Sequence, residues 1–342
     1  MPARSRPPEP VPVHRISGPA ELVAAVPYLL GFHPSDSLVI VGLDGGRLVV
    51  TARLDLAHAL HRPTLDHTLA AVVRGGSSAV IAAVYDEEAV PDSADPRQRP
   101  WWGFADRLAD AAKRAGAEFR DGLLVAGGRW WSLCCADPAC CPAEGTPLPR
   151  SPSSYAALAT YEGRVALPDR AAVAALLEPE PEAARERLRA ALDEERRSGE
   201  RVATDAGDDR RPRATKRALF AAARSADAPA PWSLDEGEVV RFGAGLTDAA
   251  LRDAAWLAVD DGRLDGRPLW RELARRLPVP YDAGPLFLFG WAAWRAGDGT
   301  LAGMAADRAV ASDPGYTAAD LLRAAVHLGV SPRLVPRLRR SA

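Results

Sequence analysis

A chain of 342 residues with 43 basic and 45 acidic side chains, a formal charge of −2 and 47% hydrophobic residues has the make-up of a soluble globular protein of about two domains. The balance of charge excludes steering to nucleic acid or anionic lipid by the overall field, so neither partner is expected. No apolar run reaches membrane-span length, the amino-terminal stretch lacks the apolar core of a signal peptide, and four cysteines in so long a chain do not make a secreted disulfide scaffold. A reducing cytoplasm is the expected setting.

In chain order, residues 1–15 are proline-rich and polar and are expected to be a disordered tail. An α/β domain is expected over 16–150. Ser17 is placed to cap a helix through Ala20–Leu30, with Glu21 in its first turn, and Pro27 predicts a kink or an early end. Two β-branched runs, 37–43 and 47–55, flank Asp44-Gly45-Gly46 and predict a hairpin. Helical spacing at 64–74, a buried strand at 79–85, a helix at 104–115 and a strand pair at 122–126 and 129–133 about Gly127-Gly128 complete the domain. The order α-β-β-α-β-α-β-β implies a mixed sheet with helices packed on it.

Beyond Ser153 the pattern is all-α. A helical segment at 151–197 is followed by an expected exposed linker at 198–213 and a helical domain at 214–342. The basic cluster Arg210, Arg211, Arg213, Lys216 and Arg217 reads as a solvated helix entry, because Asp205, Asp208 and Asp209 neutralise it. Phe289-Gly290, Gly297-Asp298, Ala302, Ala309 and Asp313-Pro314 have the spacing of a tetratricopeptide-like helical hairpin, with small residues where two helices would approach. Such units serve packing or partner binding, so a protein partner is expected on the C-terminal helices.

Two places can carry chemistry. If a three-residue turn, 44–46, sets the hairpin register, Ser37 faces Arg53 and Ser35 faces Asp55. Period-two alternation then puts Ser35, Ser37, Thr51, Arg53 and Asp55 on one face, with His33 and Asp36 in the loop leading in. Leu38, Ile40, Leu48, Val50 and Leu54 take the other face. A guanidinium, carboxylates, hydroxyls and an imidazole at one sheet end can bind a small polar ligand, although Arg53 paired with Asp55 inside a purely structural network is the competing reading. The second place is the cysteine run, Cys134-Cys135 and Cys140-Cys141, which holds every cysteine of the chain within eight positions. Vicinal pairs are not the Cys-x-x-Cys knuckles of structural zinc, and no histidine lies between His67 and His327. Packed, reduced thiols are therefore favoured over zinc or oxidation, although three sulfurs can meet if the loop folds back. Trp130 and Trp131 fit burial of this loop. No phosphate-binding glycine motif, nucleophile elbow, metal-binding His-Glu-x-x-His or paired carboxylates are visible, so no catalytic residues are named.

Pro27-Tyr-Leu-Leu-Gly-Phe-His-Pro-Ser-Asp-Ser-Leu-Val39 running into Arg53-Leu-Asp55, Arg129-Trp-Trp-Ser-Leu with Cys140-Cys-Pro-Ala-Glu-Gly145, and Gly290-Trp-Ala-Ala-Trp-Arg-Ala-Gly-Asp298 through Asp313-Pro314 occur in this order. The combination resembles the actinobacterial domain-of-unknown-function 4192 family. That resemblance implies a cytoplasmic protein and no established activity. The family pattern has one cysteine where this chain has Cys134-Cys135, which leaves Cys135, Cys140 and Cys141 as the better trio for a metal or redox centre. The preferred expectation is a non-enzymatic protein binding a small ligand or a protein partner. An enzyme or redox sensor centred on the cysteine loop is the alternative.

Overall fold

The computed structural model describes residues 16, 18–149, 154–161, 163–204 and 210–338, so the expected tail at 1–15 and the expected cap Ser17 lie outside the described residues. The first half runs α1 (Pro19–Leu30), β1 (Ser37–Asp44), β2 (Arg47–Asp55), α2 (Leu56–Ala59), α3 (Arg62–Arg74), β3 (Ala79–Tyr85), α4 (Trp102–Ala115), β4 (Glu118–Ala126), β5 (Arg129–Ser132) and β6 (Thr146–Pro147). The strands make one mixed six-stranded sheet in the order β2-β1-β3-β4-β5-β6, in which only β3 and β4 pair in parallel. The antiparallel pairs β1–β2 and β4–β5 close through short turns, whereas the parallel pair β3–β4 requires the α4 crossover.

Alternating strand residues feed two cores. Leu38, Ile40, Val80, Ala82, Val84 and Leu124 pack under α3 and α4, while Val39, Val41, Ala83, Leu123 and Val125 pack under α1. The central strand β1 is thus buried on both faces, which is why it reads as a continuous apolar run.

Pro27 does not end α1, which continues to Leu30. A proline in mid-helix leaves the carbonyl four residues earlier without its amide donor. Here that carbonyl belongs to Val23, and the buried Tyr85 hydroxyl donates to it at 3.5 Å.

The hairpin also differs in register from expectation. Gly45 and Gly46, at φ 53° and 78°, make a two-residue turn that pairs Asp44 with Arg47. A bulge between Gly42/Leu43 and their partners then leaves Ser37 opposite Asp55 and Val39 opposite Arg53. Partners move by two residues along most of the hairpin, so the polar face stands. Between turn and bulge the parity is odd, and Leu48 falls on the α1 side with Leu43 instead of joining Val50 and Leu54.

The second half is helical: α5 (Ser154–Tyr161), α6 (Arg170–Ala175), α7 (Glu182–Thr204), α8 (Arg210–Asp227), α9 (Glu236–Gly245), α10 (Ala249–Asp260), α11 (Arg267–Arg276), α12 (Ala283–Arg295), α13 (Gly299–Ser312) and α14 (Thr317–His327). The stretch expected as a linker is helical over 198–204 and 210–213, with 205–209 outside the described residues. Arg211 there engages Glu195 at 2.6 Å, tying α8 to α7. A large core forms around Trp270, Phe242, Phe287 and Leu286. Leu301 and Met304 of α13 reach across to the α1 side of the sheet, and the Thr300 hydroxyl donates to the Leu30 carbonyl at 3.4 Å. Among the described residues no helix is long and apolar enough to cross a membrane.

Candidate functional site

The hairpin end gathers most of its expected residues into a closed network. Ser37 is fully buried; its hydroxyl donates to the Ser35 carbonyl and accepts from Arg53 Nε at 2.8 Å. Arg53 Nη1 lies 2.6 Å from Asp55 Oδ1, and Nη2 donates to the Ser35 carbonyl at 3.5 Å. His58, which sequence reasoning did not single out, stands 3.6 Å from Asp55 Oδ2. Asp36 takes a left-handed backbone (φ 45°), and its carbonyl accepts the Leu56 amide. The Asp36 and His33 side chains are exposed beside the network. Ser35, Ser37, Arg53 and Asp55 therefore meet, but each nitrogen of Arg53 is already engaged within the protein.

The cysteine run is built by three turns. Asp121 Oδ1 on β4 accepts the Gly122 amide and the Ser132 hydroxyl, each at 2.9 Å. The Ser132 oxygen in turn accepts the amides of Cys134 and Cys135 at 3.1 Å, which starts the loop at the end of β5. Asp137 then forms an Asx turn to the Ala139 amide, and its carbonyl accepts the amides of Cys140 and Cys141. That fold-back brings the sulfurs of Cys135, Cys140 and Cys141 within 4.8 Å of one another. The four cysteines are free thiols. Cys141 is buried, Cys135 half-buried and Cys140 exposed. Beyond them the chain returns over Trp131, whose Nε1 donates to the Ala143 carbonyl at 2.9 Å, before joining the sheet as β6.

Cys134 stands apart from the trio; burial pushes its thiol up to about 11. The Asp137 backbone amide, with help from the Cys141 thiol, holds Cys135 below its ordinary value, while burial and the same contact push Cys141 up to about 12. Burial also raises Asp121.

Beneath the loop lies Arg99, 3% exposed and absent from the sequence-level reading. Its Nη1 donates to the carbonyls of Ser132 (3.0 Å) and Cys135 (3.2 Å), and its Nη2 to that of Cys141 (3.0 Å). No motif marks an arginine that acts 36 and 42 residues away along the chain.

Three thiolates about a zinc ion sit about 3.8 Å apart when Zn–S is about 2.3 Å, so a contraction of about 1 Å at most would complete the geometry. Two clefts of about 370 and 440 Å³ lie among the C-terminal helices, and no hairpin or cysteine residue lines them.

Fold and site together define an α/β sheet protein with a large helical extension and a folded-back loop that gathers three free cysteines. The chain belongs to the family described as Domain of unknown function (DUF4192), whose model matches residues 19–333. No curated protein and no solved structure matches the chain.

Proposed function

We propose that this is a non-enzymatic cytoplasmic regulatory protein that holds a thiophilic metal ion, Zn²⁺ in the first instance, on Cys135, Cys140 and Cys141. The convergence of these sulfurs carries the reading, because soft divalent ions select thiolate sets and gain most where the donors are already assembled. An exposed thiol at Cys140 suits a site that loads and unloads, rather than a closed structural zinc. The helical half supplies a face for a protein partner: Leu321 on α14 and Leu328 just after it are 69% and 45% exposed and seven positions apart, on one side of the helix. The hairpin end supports a small-ligand role less well, since its polar groups satisfy one another.

The experiment is metal analysis of the full chain purified under reductant, followed by Zn²⁺ titration against a chromophoric chelator. One Zn²⁺ per chain, lost in Cys141→Ser, is expected. A native chain that leaves Zn²⁺ with the chelator while its thiols titrate as free would sink the reading.

A further inference from the structure

Arg99 presents a charge problem. Its side chain is buried, and among the described residues it makes no ion pair. Its terminal nitrogens are satisfied by the three carbonyls of Ser132, Cys135 and Cys141, and its Nε has no partner. Carbonyl dipoles answer the hydrogen-bonding capacity of a guanidinium but not its net charge. A charge taken out of water without an opposite partner is strongly unfavourable, and buried charges are as a rule paired. Asp121, which holds the other side of Ser132 through its hydroxyl, forms no ion pair with Arg99.

What faces Arg99 is the thiol loop. Two of the three carbonyls it grips belong to Cys135 and Cys141, so the guanidinium sits against the backbone of the trio. The trio's charge depends on its state. Three thiols, or a disulfide with one thiol, carry none. Three thiolates about a monovalent ion carry two negative charges, and about a divalent ion they carry one. Of the metal-loaded states, only the divalent one is neutralised by a single guanidinium.

We infer that Arg99 is the counter-cation of the loaded thiol centre and that the centre is matched to a divalent ion. The inference rests on the metal reading of Cys135, Cys140 and Cys141. Arg99 reaches the loop through backbone carbonyls rather than sulfurs, so it is a positioning residue whose charge would complete the site. Loss of an outer partner of this kind lowers metal affinity roughly 10- to 100-fold.

The test uses the full-length protein and Co²⁺, whose sulfur-to-metal charge-transfer absorption reports thiolate coordination, with Zn²⁺ displacement giving affinity. Arg99→Lys keeps the charge and loses the fork; Arg99→Gln keeps an amide donor and loses the charge. The expected result is a Gln variant weakened roughly 10- to 100-fold and a Lys variant close to the native chain. Equal losses in both variants, a Gln variant that binds as the native protein does, or failure of both to fold would make Arg99 a backbone clamp and overturn the inference. Absence of the sulfur-to-cobalt band in the native chain is a different outcome, and it would remove the metal site itself.

Discussion

Gly145 lies against the indole of Trp131: a Cβ placed on Gly145 would stand 2.4 Å from Cε2 and 2.6 Å from Cζ2 of that ring. Its backbone is also left-handed, at φ 74°. Trp131 belongs to the sheet and Gly145 to the chain returning from the thiols, so this contact sets where the cysteine loop closes. Gly145→Ala meets a left-handed penalty of roughly 1–2 kcal/mol and an overpacking cost of about 1–3 kcal/mol. Urea denaturation should show a loss of about 2–5 kcal/mol, with faster modification of Cys141 by a thiol reagent. Unchanged stability and reactivity would mean that the ring does not fix the loop.

At the hairpin, Arg53→Ala tests a structural network against a ligand site. The substitution strips the buried Ser37 hydroxyl of its donor and leaves Asp55 without its 2.6 Å partner. A hydrogen bond to a charged group contributes about 1.5–3 kcal/mol, so the unliganded protein should lose stability in that range. A ligand site would behave otherwise, with the free protein little changed and stabilisation by a polar metabolite abolished. Thermal melts of both proteins, with and without a metabolite panel, separate the two.

The sequence pattern carries the faces of this hairpin but not its register. Period-two alternation places Ser37, Arg53 and Asp55 together whichever turn closes the strands, because partners moved by two residues keep their face. The turn type depended on both glycines adopting positive φ, and the bulge that moves Leu48 leaves no trace in hydrophobicity. Local grammar also misplaced the polar stretch at 198–213. Composition suggested a linker, yet tertiary contacts such as Arg211 with Glu195 hold helix there. In the cysteine loop the thiols themselves were legible as a group. Asp121 and Arg99, which aim them, were not, since each acts across long sequence separation without a periodic or motif signature.

Asp260 organises the end of the helical half. Fully buried, it accepts from Trp291 Nε1 at 2.9 Å, Arg295 Nε at 2.6 Å and the Leu338 amide at 2.5 Å. Arg295 also donates to the carbonyls of Pro332, Val335 and Pro336, so one buried ion pair straps residues 332–338 onto α10 and α12. Removing one member of such a pair costs about 3–5 kcal/mol, because the other is left charged and buried. Asp260→Ala is expected to destabilise by that order and to abolish amide-exchange protection at Leu338. Replacing Asp320, whose 2.5 Å partner Arg323 sits on an exposed helix face, should move stability by less than about 1 kcal/mol.

Asp282, at the start of α12, gives the protein a pH dependence opposite in sign to ordinary acid unfolding. Burial raises its carboxyl above the ordinary aspartate value, against the opposing effects of the Ser312 hydroxyl and of Arg308, whose Nη2 lies 3.7 Å away. A raised folded-state value means that the native chain binds more protons than the unfolded chain between the two values. Stability from this group is therefore full below the unfolded carboxyl value and is lost as pH rises through the folded one. Asp282→Asn cannot ionise and keeps an acceptor for Ser312, so it removes this share while Asp121 and Asp298, also raised by burial, titrate in both proteins. Urea midpoints from about pH 4 to about pH 7 should show native stability falling relative to Asp282→Asn as pH increases. A difference that stays flat, or grows in favour of the native chain toward neutral pH, would mean that Ser312 and Arg308 outweigh burial and that Asp282 is held as a carboxylate.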